Sequence, residues 1–149
     1  MSRYNRGRNK NYRNPLSQLI KEIQKAKSLK EVFVPEKYAL PDGWAFKTAN
    51  TLIGSNAMNT NQIRKIFGEL KSIEEKLKRE KDLDKCKNDI LLIMPQVAYA
   101  LGRRVVSKNF YDLMKECINL NKIKEPEDFI AFVKFFTAVV AYSSVVKSK

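Results

Sequence analysis

Asp82, Asp84 and Asp89 are the densest run of carboxylates in the chain, and a magnesium ion held among them could assist phosphodiester cleavage. Acids at a junction between helices have a simpler role. They cap the following helix and complement its positive end. The sequence contains no His, which removes the usual general base and the nitrogen ligands of a zinc site. Cys86 and Cys117 lie far apart with no CxxC spacing, and they read as small buried residues in a reducing compartment. Neither catalytic residues, a metal site nor a cofactor is expected, and the chain reads as a non-enzyme.

Its cations offer a different chemistry. Lys and Arg number 29 against 16 acids, leaving a formal charge of +13 at pH 7. On so small a surface that excess attracts polyanions before any specific contact forms. Nucleic acid is the leading partner, while an acidic protein or membrane surface is the reading that composition leaves open. Arg64, Lys71 and Lys78 recur every seven residues, which sets them along one helical stripe together with Gly68. Glu75 in the same stripe supports an ordinary solvated face, pairing with Lys71 or Arg79. The second cluster is Tyr99, Gly102, Arg103, Arg104 and Lys108. A guanidinium fork matches phosphate oxygens, and Tyr99 precedes Arg103 by one turn on the same face. Capping a helix end near Gly102 needs one cation at most, so the three present favour anion binding.

Helices must position these groups. Residues 1–14 form a basic arm carrying Arg3, Arg6, Arg8, Lys10 and Arg13 without an acid; it is expected to be flexible, with Tyr4 and Tyr12 able to stack on a base. Asn14 and Pro15 start a helix that runs to about Lys30, and residues 32–40 read as a connection punctuated by Pro35 and Pro41. Asp42 is the expected cap of a second helix and Thr60 of a third, whose Ile63, Ile66, Phe67, Leu70, Ile73 and Leu77 repeat with helical period to about Lys81. Pro95 predicts a kink or a break within residues 90–104. Ser107 is the expected cap of the next helix. A last helix begins near Pro126, and its Phe and Val residues cover more than one face. No alternating strand pattern occurs. The expectation is all-α, a single-domain bundle of about five to six helices over residues 15–149. No apolar run approaches the roughly 20 residues of a membrane span and the start lacks a secretory h-region, so a cytoplasmic location follows, with no membrane partner.

Two segments carry a resemblance. Thr60-Asn61-Gln62-Ile63-Arg64-Lys65-Ile66-Phe67, followed by Leu91-Leu92-Ile93-Met94-Pro95-Gln96-Val97-Ala98-Tyr99-Ala100-Leu101-Gly102-Arg103, resembles the Csm small subunit of type III-A CRISPR-Cas interference complexes. That family shows a Thr-x-Gln-Ile/Leu-Arg-Lys helix start and a Leu-x-Pro-x-Ile/Leu-Ala-Tyr-Ala-x-Gly-Arg segment. Leu101 departs from the small residue of the motif.

The resemblance implies a helical bundle that stacks in multiple copies along an antiviral ribonucleoprotein, beside subunits that hold the guide RNA. Guide–target pairing would carry sequence recognition, leaving this subunit to hold the target strand's phosphates while other subunits cleave. Gln62, Arg64, Lys65, Tyr99 and Arg103 match motif positions, and Arg64 and Arg103 are the leading candidates for phosphate contact. Gln62 has helix capping as its alternative role and Tyr99 a place in the core. With Lys71, Lys78, Arg104 and Lys108 these make up the expected RNA-binding set. The implied partners are guide and target RNA, the backbone and large subunits of the Csm complex, and further copies in head-to-tail stacks. The exposed side of the Phe-rich last helix is the candidate stacking surface. A protein-only scaffold and a general sequence-independent nucleic-acid-binding protein are the alternatives.

Overall fold

The computed structural model describes residues 14–54 and 58–147, and the regular elements among them are all helical. In chain order these are α1 (Ser17–Lys25), α2 (Leu29–Val32), α3 (Pro35–Tyr38), α4 (Trp44–Ile53), α5 (Thr60–Glu80), α6 (Leu83–Leu91), α7 (Ile93–Gly102), α8 (Lys108–Cys117) and α9 (Pro126–Lys147). The all-α class agrees with the sequence; the number of segments exceeds five to six. Two of the additional segments, α2 and α3, are single turns, and another arises where the helix around Pro95 divides. The basic arm, apart from Asn14, lies outside the described residues.

α9 organises the core. Its Phe129, Phe132, Val133, Phe135, Phe136 and Val139 are 0% exposed, so the apolar faces of this helix are wrapped by α2, α4 and α5. Each buried Phe contributes about 1.5–3 kcal/mol. Phe33 stacks on Phe135 at a centroid separation of 4.5 Å, which fastens the α2 end to this helix. By length and composition α9 would suffice to cross a membrane, contrary to the expectation that no run would. Its burial here makes it the centre of a bundle, and little of its aromatic surface remains for stacking copies.

Helix ends follow local chemistry where the chain is free to choose. Asp82 caps α6 by accepting from the Asp84 N–H at 3.0 Å, and Ser107 caps α8 by accepting from the Phe110 N–H at 3.2 Å. Asn59, one residue before the expected Thr60, caps α5 through the Asn61 N–H at 2.7 Å. α4 starts after Gly43, not through the Asp42 side chain; a Cβ at Gly43 would lie 2.8 Å from the Tyr38 carbonyl carbon. Pro95 breaks its helix. Without an N–H it cannot bond to the Leu91 carbonyl and its ring crowds that group, so α6 ends at Leu91 and Pro95 sits in the first turn of α7.

Tertiary contacts set the remaining ends. α1 stops at Lys25 instead of Lys30 because Lys122 Nζ donates to the carbonyls of Gln24 and Ala26, while the Leu29 N–H bonds to the Lys122 carbonyl at 3.0 Å. The buried Asp128 carboxylate then accepts from the N–H groups of Lys30, Lys124 and Glu125 at 3.0, 2.9 and 3.1 Å. That residue both caps α9 and moors the α2 turn to it.

Candidate nucleic-acid interface

α7 ends in a left-handed turn built around a residue that disfavours it. The Val105 N–H bonds to the Ala100 carbonyl at 3.1 Å and the Arg104 N–H to the Leu101 carbonyl at 3.0 Å, a Schellman closure. Its left-handed position, usually Gly, holds Arg104 with φ 65°. A side chain there costs about 1 kcal/mol relative to Gly. From this turn the Val105 carbonyl accepts the Asn59 N–H at 3.3 Å, and so joins the end of α7 to the start of α5.

That junction brings the two sequence segments together. Gln62, Lys65 and Ile66 of α5 face Pro95, Gln96, Tyr99 and Ala100 of α7, with Arg103 at the end, across an open cleft of about 270 Å3. Tyr99 is 70% exposed and therefore not core. The Arg103 guanidinium lies over its ring, 5.7 Å from the centroid. Both cations lining the cleft, Lys65 and Arg103, are exposed, and no acid lines it. The start of α5 also has no acid in its first turn. Helix N-termini carry partial positive charge, and with no acid in the first turn nothing there offsets it.

A second cleft of about 420 Å3 adjoins the first through Gln96 and has a different character. Glu69, Glu75 and Asp89 line it with Lys76 and Arg79. Lys76 Nζ donates to Asp89 at 3.1 Å, a bond that holds the ammonium above the ordinary lysine range. Asp82 is a cap and Asp89 an ion-pair partner. Among the described residues no group of three or more Cys, Asp or Glu side chains is placed to hold a metal ion.

The expected RNA-binding residues therefore divide. Gln62, Lys65, Tyr99 and Arg103 share the first cleft, with Arg104 exposed on the turn beside it. Arg64, Lys71 and Lys78 follow another stripe of α5, roughly a third of a turn around the helix by its 3.6-residue period. Lys71 and Lys78 pair there with Glu74, at 2.7 and 3.8 Å, and not with the Glu75 that the stripe suggested. Lys108 bonds to Asp112 at 2.5 Å and lies over the Tyr111 ring. A Cβ at Gly68 would meet nothing within 4 Å, so nothing within the described subunit requires glycine there.

Two residues escaped the sequence reading. Gln96 shares a helical face with Tyr99 and Arg103 at spacings of three and seven, a signal that was present. Glu74, 1% exposed beneath two lysines, gave none, because a carboxylate beside an apolar stripe is ordinarily solvated.

A family model described as Csm2 Type III-A matches residues 36–149, a span that includes both walls of the cleft. Over 89 residues the chain is 29% identical to the CRISPR system Cms protein Csm2 of Streptococcus thermophilus, covering 60% of this chain and 73% of that relative. No solved structure matches. The chain belongs to the Csm2 family, the small subunit of type III-A CRISPR-Cas interference complexes.

Proposed function

We propose that this subunit holds the target RNA strand by its phosphates at the mouth of the α5–α7 cleft, and that copies of it stack along the guide-bearing subunits without performing catalysis. One observation carries the reading: the cleft is lined by Lys65 and Arg103 with no acid, whereas the adjoining cleft sets Glu69, Glu75 and Asp89 against Lys76 and Arg79. Arg104 and Arg64 extend the cationic surface to either side. None of these four forms an ion pair among the described residues.

Phosphate grip alone suffices for such a role, because guide–target pairing supplies the sequence recognition. Neighbouring subunits need apolar surface too, and the α6–α7 break offers Leu91 and Leu92, 40% and 59% exposed. The role places the protein in the cytoplasm with the rest of the complex.

Ultraviolet crosslinking of the assembled particle, followed by mass spectrometry of the crosslinked peptides, tests this reading. RNA adducts on the peptides containing Lys65 and Tyr99 are expected. A particle whose RNA crosslinks spare both, while the same peptides crosslink to protein subunits, would establish the scaffold role instead.

A further inference from the structure

Phosphate binding leaves half of the cleft unexplained. Tyr99 projects a ring that is 70% exposed, and the protein contact that it makes is with the Arg103 guanidinium. Gln62 has no side-chain hydrogen bond within the described residues, and the Gln96 carboxamide makes one long bond, to the Leu92 carbonyl at 3.4 Å. An aromatic ring and two carboxamides contribute nothing to holding a phosphate that further cations would not do better. Together they match a nucleobase, whose face stacks on aromatic and guanidinium planes and whose edge bonds to paired donors and acceptors.

Resting on the RNA-binding reading above, we propose that the cleft seats one unstacked base of single-stranded RNA, its ring on Tyr99 and its edge toward Gln62 and Gln96. At about 270 Å3 the cleft falls just below the range of ordinary small-molecule pockets, about 300–1,000 Å3, which suits one flat ring system with its sugar and excludes a helix or a duplex. Lys65 and Arg103 then hold the phosphates that flank the seated base. A carboxamide matches the donor and acceptor of adenine and also tolerates other bases, so the preference among bases is mild. Preference between strands is stronger. A paired base leaves its stack only at an energetic cost, so an unpaired strand binds more tightly than a continuous duplex.

The test uses the full 149-residue chain and fluorescence anisotropy with two labelled probes of equal length, oligoadenylate and an abasic strand with the same ribose-phosphate backbone. The abasic probe is expected to bind about fivefold or more weakly. Tyr99→Ala should lose that factor on oligoadenylate and change nothing on the abasic strand, while Tyr99→Phe retains it. Because the ring is exposed, far-UV circular dichroism of the variants should match wild type. Equal affinity for the two probes overturns the base seat, as does a Tyr99→Ala loss of equal size on both. If the probes bind equally and Arg103→Ala weakens both, the phosphate reading survives alone. If neither probe binds, both readings fall.

Discussion

The backbone N–H of Asn59 donates to the carbonyl of Val105 at 3.3 Å, and that bond fastens the start of α5 to the turn that ends α7. Two segments distant in sequence thereby become two walls of one cleft. Lys65 is carried on one and Arg103 on the other. Positive charge assembled from separate helices in this way requires the fold to be complete before the surface exists.

Arg104→Gly should stabilise the protein and weaken RNA binding together. Relief of the left-handed backbone at φ 65° is worth up to about 1 kcal/mol, while the lost guanidinium removes charge from the mouth of the cleft. Urea denaturation and RNA titration of the same variant check both halves. A gain in stability with unchanged affinity would remove Arg104 from the interface.

Lys71→Ala combined with Lys78→Ala leaves the Glu74 carboxylate, 1% exposed, without its two cations. Breaking a buried pair costs about 3–5 kcal/mol. Here the lysines are 39% and 54% exposed, and solvent screening reduces the expected loss to about 1–2 kcal/mol. Chemical denaturation measures it, and RNA affinity should fall less than for Arg103→Ala. The reverse outcome, intact stability with lost binding, would assign this stripe to RNA.

Much of the bundle was legible because local chemistry decided it. The 3.6-residue repeat from Ile63 to Leu77 buried the expected side of α5, and Pro95 divided its helix for the reason its missing N–H supplies. Where distant groups decided, the sequence was silent. Lys122 ends α1 by taking carbonyls that a longer helix would have kept. Asn59 rather than Thr60 caps α5, in a junction already tied to Val105. The cleft was half readable: motif spacing marked its residues and helical period separates Arg64 and Lys71 from Lys65, but only the fold showed that Lys65 and Arg103 line one cleft.

Both thiols should resist alkylation in the native protein. Cys86 and Cys117 are buried, and loss of solvent pushes each thiol above its ordinary range, Cys117 the further. At pH 8 they remain protonated and shielded, since the thiolate is the reactive form. Ellman's reagent should give no colour until denaturant is added, and rapid native labelling would mean that α6 or α8 opens readily.

The salt dependence of RNA binding tests the central claim most directly, measured for wild type and for Lys65→Ala combined with Arg103→Ala, the two cations that line the cleft. About three neutralised phosphates give a log–log slope of roughly −2, and loss of two contacts should reduce it to about −0.7, with helicity unchanged. An identical slope and affinity in the double variant would contradict the account.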